Sequence, residues 1–213
     1  MNKKAISNLD ILKIYDKTNN KTYHGCDQEW YARKWQRLSG CGPTVASNII
    51  FYLFHRQAVF SFHNNFNGKA YWQSLMEEIW HYVTPTIRGI PNTKLFYEGI
   101  VKYSEAKEMN ILYDYCDIPK DKNCRPAFQE LVKFIERGLS KDTPIAFLNL
   151  CNGDEKKLER WHWVTIVALE YAEDGSSAFV DILDAGEILT VDLALWYNTS
   201  NQGGGFVCVE GQV

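Results

Sequence analysis

The chain has 213 residues, of which 46% are apolar and 14% are aromatic, and this composition excludes an intrinsically disordered protein. The length favours a single domain over residues 1–213. Acidic residues outnumber basic residues by 26 to 23, and the resulting net charge of −3 excludes the broad basic surface that nucleic-acid binding requires.

Predicted helices occupy the first two thirds of the chain. The first 35 residues are polar and mixed, which predicts loops and short edge elements. Apolar residues then recur at helical spacing in four segments. The predicted helices cover residues 43–54, 71–83, 95–103 and 128–139, with a loop over 55–70 and a short strand over 111–115 between them. The first of these helices is apolar on nearly every side, so it belongs inside the domain.

Predicted strands follow Gly138. They cover residues 144–150, 161–171, 178–184, 188–191 and 206–209. Asp174-Gly175, between two of these runs, is a strong hairpin signal. Residues 152–160 form a charged loop, which is either an ordinary solvated loop or a lid or wall of a substrate site. The order of elements predicts an α+β fold, with helices over about 30–140 and an antiparallel sheet over about 141–213.

The six cysteines show no metal-binding pattern. They occupy positions 26, 41, 116, 124, 151 and 208. There is no Cys-x-x-Cys pair and no His-Glu-x-x-His motif, so we expect no metal and no organic cofactor. The N-terminal lysines precede no apolar signal segment, and the longest apolar stretch is far shorter than the roughly 20 residues of a membrane span. We therefore expect a cytoplasmic protein with mostly free thiols and no membrane partner.

Cys41 has the most informative surroundings of the six thiols. It lies between Gly40 and Gly42, directly before the predicted first helical turn that Pro43 opens. Free N–H groups and positive dipole potential at a helix N-terminus stabilise a thiolate, and N–H groups there can donate to an oxyanion. The glycines permit a sharp turn and leave room beside the sulfur. Cys41 is therefore the candidate nucleophile.

A cysteine nucleophile needs a base, and the base needs a third group to orient it. His162 begins an apolar strand directly after the charged loop, at the rim of the predicted sheet. A hairpin loop of three or five residues would place Asp184 on the same face as His162, about 7–8 Å away between Cα atoms. A two-residue turn would place Glu187 opposite His162 instead. We favour Asp184, because Asp-Ala-Gly ends its strand in a turn, and Glu187 is the alternative.

Four short motifs carry a resemblance to a known family: Gln36, Gly40-Cys41-Gly42-Pro43-Thr44, Trp161-His162-Trp163-Val164 and Leu183-Asp184-Ala185-Gly186. In this order they resemble the papain-like cysteine peptidase superfamily, and in particular bacterial domains similar to those that cleave double-glycine leader peptides. The resemblance implies a papain-like α+β fold with the nucleophile on a helix of the first half. It implies Cys41 as nucleophile, His162 as general base and then acid, and Asp184 as the group that orients His162. It also implies Gln36 as the oxyanion donor.

The predicted function is that of a cysteine hydrolase, which cleaves peptide or amide bonds through a thioester acyl-enzyme. The expected partner is a peptide or peptide-like substrate. Two alternatives stay open: acyl transfer on the same fold, and a papain-like binding or regulatory module without turnover. The oxyanion donor also has an alternative, Gln28, because Gln36 lies five residues before Cys41 where the family more often has six.

Overall fold

The computed structural model describes residues 1–56 and 68–211, so most of the predicted loop over 55–70 lies outside the described residues. In chain order the elements are β1 (Asn2–Ala5), β2 (Lys13–Asp16), β3 (Lys21–His24), α1 (Lys34–Ser39), α2 (Cys41–His55), α3 (Lys69–Trp80), α4 (Thr93–Ala106), β4 (Ile111–Ile118), α5 (Phe128–Ser140), β5 (Ile145–Asn149), β6 (His162–Tyr171), β7 (Ala178–Asp184), β8 (Glu187–Asp192), α6 (Leu193–Thr199) and β9 (Gly204–Gly211). The predicted α+β fold class is confirmed.

One antiparallel sheet organises the described residues. Its strand order is β4-β9-β5-β6-β7-β8, and β1 pairs with the second half of β6, where β5 no longer reaches. The sheet therefore recruits β1 and β4 from the first 120 residues, and the predicted division into a helical part and a sheet part near residue 141 is too simple. The strand β4 was expected over 111–115 and extends to Ile118, because it pairs along its whole length with β9.

Two helices cover opposite faces of the sheet. Asn48 of α2 donates from its side-chain amide to the hydroxyl of Thr165 on β6. Gly138 of α5 lies against Ile145, whose partner across the ladder is Ile166. Residues 165 and 166 are consecutive in a strand, so their side chains point to opposite faces. The apolar α2 is thus enclosed between the sheet and the other helices, as its sequence predicts.

A β-bulge sets the register of the hairpin between β6 and β7. Six residues separate the last paired positions, Tyr171 and Ala178, so odd-numbered residues pair with even-numbered ones near the turn. The register shifts by one between Ile166 and Ala168, because β6 has one extra residue there. Beyond the bulge, even-numbered positions pair with even-numbered ones. The bulge, and not the loop length, therefore places residues 162 and 184 on one face.

Two short helices were not predicted. The helix α1 has six residues and α6 has seven, and neither is long enough to show a helical repeat in sequence. The α6 helix begins after Asp192, whose carboxylate accepts the N–H of Leu195. Its Trp196 is completely buried, and the indole N–H donates to Asn149 at the end of β5. This helix therefore holds the end of β5, where Asn149 pairs with His162 of β6.

Candidate active site

Cys41 is the first residue of α2. The helix begins two residues earlier than predicted, so Pro43 is its third residue, and the backbone of Gly40 accepts the first N–H···O bond, from Thr44. The N–H groups of Cys41 and Gly42 precede that first bond, and a helix leaves such groups without an intrahelical partner. The half-buried Cys41 side chain thus lies directly at the positive end of the helix dipole.

The two glycines beside the cysteine allow close packing. A Cβ atom at Gly40 would collide with the backbone of Gln36 and the ring of Tyr31, and one at Gly42 would lie 2.6 Å from Ile90. Gly40 has a φ of −84°, which any residue adopts. The predicted reason for the glycines is therefore wrong in part, because the space that they leave is filled by Tyr31 and Ile90 rather than kept open beside the sulfur.

His162 bridges the candidate nucleophile and a carboxylate. Its Nε2 lies 2.7 Å from Oδ1 of Asp184, across the β6–β7 ladder. This bond leaves Nδ1 for the thiol of Cys41, which is within hydrogen-bonding reach of the ring. The structure thus brings Cys41, His162 and Asp184 together in the arrangement that a nucleophile, its base and an orienting group require.

The surroundings of His162 favour its protonated form. Burial by itself would lower the pKa of the imidazole, because a charged ring is costly away from water. The hydrogen bonds to Asp184 and Cys41, together with their negative charges, act in the opposite direction and raise the pKa of His162 to about 10. The ring therefore carries a proton at neutral pH that it can give to a leaving group.

A tight turn holds Asp184 in place. Asp184 pairs with Glu187 at the end of the β7–β8 hairpin, and the two residues between them, Ala185 and Gly186, have φ values of 48° and 75°. Two positive φ values define the type I′ turn, which suits the twist of a hairpin. The carboxylate of Glu187 lies 3.3 Å from Nζ of Lys21, so this alternative partner of the imidazole is oriented elsewhere.

Gln36 does not reach the cleft. Its side-chain oxygen accepts the backbone N–H of Arg33 at the start of α1, and its amide nitrogen donates to Glu77 at 2.6 Å. The structure therefore does not support the prediction of Gln36 as oxyanion donor, because its amide oxygen caps the start of α1 and its amide nitrogen joins α1 to α3. Gln28, the alternative, lies in a short 3-10 turn and lines the same cleft as Cys41.

The cleft in front of Cys41 has a volume of about 270 Å³ and an acidic lining. Its carboxylates come from Asp27, Glu29, Glu159 and Asp184. Glu159 belongs to the charged loop, so that loop forms part of the cleft wall, as one of the two sequence interpretations expected. No lysine or arginine is among the described residues that line this cleft.

A second cavity begins on the other side of Cys41, and large apolar side chains line it together with the polar side chains of Ser39 and Arg88. It has a volume of about 170 Å³ and is closed at its base by Leu148 and Trp163. Trp163 is held by its indole N–H, which donates to the carbonyl of Ile90 at 2.8 Å, and by stacking on Phe96. No pattern in the sequence predicts this cavity, although Trp161 stands next to His162.

The other five cysteines differ from Cys41 in their environments. All six are unpaired in the structure. Burial raises the pKa of the Cys116 thiol to about 11 and that of the Cys208 thiol to about 12. Cys151 is an exception that the sequence did not reveal: burial favours its neutral form, but backbone N–H groups of Asn201 and Gly153 outweigh burial and lower its pKa. Its side chain is buried, which shields it from reagents.

Residues 1–56 and 68–211 contain neither a cluster of metal ligands nor a membrane-spanning helix. Within these ranges no three histidine, cysteine or acidic side chains come together as the ligands of a metal ion. In the same part of the chain, no helix combines the length and apolar character needed to cross a bilayer.

No family model matches the sequence, and no curated protein matches it. The structure is similar to the crystal structure of UfSP from C. elegans, a cysteine protease of papain-like fold, with a TM-score of 0.51 at 10% sequence identity. The match covers 99% of this chain and 34% of the UfSP chain, so this chain spans about a third of the length of that protein. The similarity shows the fold alone: a mixed α+β structure of helices and an antiparallel sheet, like that of UfSP.

Proposed function

We propose that the protein is a cysteine hydrolase that cleaves peptide or amide bonds through a thioester acyl-enzyme. One observation carries this proposal: His162 is hydrogen-bonded to Asp184 and lies within reach of the Cys41 thiol, at the mouth of an open cleft. A binding module without turnover would need neither an assembled triad nor an open cleft before the thiol. The four sequence motifs support this proposal, because they resemble those of bacterial leader peptidase-like domains.

The first half of the reaction forms the acyl-enzyme. The Cys41 thiolate attacks the carbonyl carbon of the substrate, and the carbonyl oxygen becomes an oxyanion. In this proposal the oxyanion accepts hydrogen bonds from backbone N–H groups of the first turn of α2 and from the amide of Gln28, because α2 begins at Cys41 and Gln28 lines the cleft. The protonated His162 then gives its proton to the amine nitrogen, the C–N bond breaks, and a thioester remains on Cys41.

The second half of the reaction releases the acid. The neutral His162 accepts a proton from water, and the oxygen of that water forms a bond to the thioester carbon. The C–S bond breaks, which restores the thiolate of Cys41 beside a protonated imidazole. Asp184 keeps the ring oriented in both halves, because its bond to Nε2 is compatible with either protonation state of Nδ1.

Competitive alkylation tests whether Cys41 is an activated nucleophile. The native protein is treated with limiting iodoacetamide at pH 7, and the modified thiols are mapped by mass spectrometry. We expect Cys41 to react at least tenfold faster than Cys124, which is exposed and serves as the internal reference. We expect the advantage to disappear in His162→Ala. Equal rates at Cys41 and Cys124 in the unmodified sequence would contradict the proposal.

Turnover is tested with a library of fluorogenic peptides. We expect hydrolysis by the native sequence and none by Cys41→Ala. Product analysis with added amines distinguishes hydrolysis from acyl transfer, since a transferase would give amide products in place of acids. An activated thiol without any product of either kind would indicate a binding module.

A further inference from the structure

Four large apolar side chains form an exposed rim around the second cavity, and we call this group the apolar rim. Its members and their exposed fractions are Trp35 (47%), Leu38 (71%), Ile87 (94%) and Trp161 (51%). They come from three separate parts of the chain: α1, the turn before α4 and the residue before β6. Large apolar groups that gather on a surface mark a binding site, whereas single exposed ones are ordinary.

The backbone of Trp161 is held in an unfavourable conformation. Its φ is +58°, in the left-handed region that bulky side chains rarely adopt. The next residue is His162, which is fixed by Asp184. Strained backbone of this kind collects at functional sites, where the surrounding structure imposes it. Here the strain presents an indole ring to the edge of the cavity immediately beside the reacting groups.

The size of the second cavity fits one large side chain. Its volume is about 170 Å³. A protein cavity of about 150 Å³ lined by apolar side chains accommodates benzene. The ring of a phenylalanine or the branched end of a leucine therefore fits the space between the apolar rim and Trp163. Because Cys41 lines this cavity too, such a side chain would lie next to the bond under attack.

The acidic cleft on the other side of Cys41 differs from the second cavity in charge, because carboxylates line the cleft, whereas the second cavity has no carboxylate and one cation, Arg88. Glu159 and Glu29 are exposed there, and the only ion pair of Glu29 in the described part of the chain is a long one, 3.8 Å to Arg37. The side-chain oxygen of Gln28, which lines the same cleft, is buried and accepts no hydrogen bond. A buried acceptor without a donor is costly, and a ligand N–H group would satisfy it. Ammonium and guanidinium groups combine that donor with the complementary charge.

We propose that the substrate is a peptide with a large apolar side chain on one side of the scissile bond and a positively charged side chain on the other. The apolar rim binds the first, and the acidic cleft binds the second. This inference rests on the proposed hydrolase function only in assuming that the peptide is cleaved between the two side chains. The two surfaces would bind such a peptide without turnover as well.

Equilibrium binding to Cys41→Ala separates the inference from the proposed function. Fluorescently labelled peptides carry Phe or Ala on one side of a central amide and Lys or Glu on the other, in both orders, and anisotropy gives their dissociation constants. We expect the better order of Phe with Lys to bind at least tenfold more tightly than either peptide with one replacement. Equal binding of the Phe and Ala peptides, or of the Lys and Glu peptides, would overturn the inference.

Two double variants test which surface produces each preference. In the first, Leu38→Ser is combined with Ile87→Ser, and we expect the preference for Phe over Ala to fall below threefold. In the second, Glu29→Gln is combined with Glu159→Gln, and we expect the preference for Lys over Glu to fall below threefold. These side chains are exposed, so the fold is retained. Tyr113→Ala and Glu105→Gln change exposed residues on β4 and α4 as matched controls, and we expect both preferences to survive in them. Preferences that persist in the rim and cleft variants would place the binding elsewhere and refute the assignment.

The library assay of the native sequence completes the separation. If peptides are hydrolysed without any side-chain preference, the inference fails and the hydrolase proposal stands. If Phe–Lys peptides bind selectively to Cys41→Ala but the native sequence gives no product, the hydrolase proposal fails and the binding preference stands.

Discussion

The two sides of Cys41 are built in different ways. On one side, His162 and Asp184 are fixed by neighbouring strands and bonded to each other at 2.7 Å. On the other side, the apolar rim comes from three separate segments, and its side chains are largely exposed. The first side holds groups that are hydrogen-bonded to each other and could act in the chemical step. The second side presents exposed apolar side chains that a bound peptide would cover. The reaction and the recognition of an apolar side chain are therefore separable by mutation.

The largest effect of a substitution is expected on the side of Cys41 that holds His162 and Asp184, which we call the charged side. We expect Asp184→Asn to lower kcat by about 10³–10⁴-fold, because the imidazole loses its orienting carboxylate and the charge that stabilises its protonated form. The measurement is the steady-state hydrolysis of the best library peptide. Glu187→Gln is the matched control three residues away, where we expect less than a twofold change, because Glu187 contacts Lys21. A comparable loss in both variants would break the distinction between the two carboxylates.

The free energy of unfolding should depend on pH through His162, on the same side of Cys41. The pKa of His162 is about 10 in the folded protein and near its ordinary value of 6.5 in the unfolded chain. A raised pKa means that folding favours the protonated ring. This contribution is present in full below pH 6.5 and is lost as the pH rises through 10, by an amount on the order of 5 kcal/mol at about 1.4 kcal/mol per unit of pKa.

Urea unfolding at pH 6.5 and at pH 10 measures this loss. Other groups titrate in the same range, so the informative quantity is the difference between the native sequence and His162→Gln. We expect the free energy of unfolding of the native sequence to fall more steeply with pH than that of the variant. Parallel pH profiles would show that the proton on His162 is not linked to folding.

A third prediction concerns the oxyanion donor. We expect Gln28→Ala to lower kcat by about 10²-fold, the usual effect of losing one donor to an oxyanion, with little change in thermal stability. We expect Gln36→Ala to do the reverse, because its amide joins Arg33 to Glu77 and does not line the cleft. Paired kcat and melting-temperature measurements on both variants test this. A larger loss of kcat in Gln36→Ala would restore Gln36 as the donor.

The sequence predicted the charged side far better than the apolar one, for physical reasons. A helix start close to Cys41 and a strand start close to His162 are local patterns, so both were visible in single segments, although the helix begins two residues earlier than predicted. The shared face of His162 and Asp184 was also predicted, although the bulge near residue 167 produces it rather than a short loop. A prediction of which odd- or even-numbered residues share a face fails whenever a bulge that the sequence does not reveal shifts the register by one residue.

Gln36 and the apolar rim show what local patterns do not contain. The amide of Gln36 is used by Arg33 and Glu77, and Glu77 lies 41 residues away on another helix. The rim requires Leu38, Ile87 and Trp161 to meet in space, which depends on how α1 and the turn before α4 pack beside β6. No spacing rule connects residues so far apart in sequence, so the tertiary fold alone brings them together.

The smallest expected effect is on stability, at the apolar rim. Trp161→Gly and Trp161→Ala both remove the indole, but only glycine adopts a φ of +58° without strain. We therefore expect the glycine variant to be more stable than the alanine variant by about 1 kcal/mol, because the left-handed conformation costs an L-residue roughly 1–2 kcal/mol and glycine loses part of that in extra unfolded-chain entropy. Both variants should lose the preference for Phe peptides equally. An alanine variant as stable as the glycine variant would mean that the backbone relaxes at this position, and the rim would then owe its shape to side-chain packing rather than to strain beside His162.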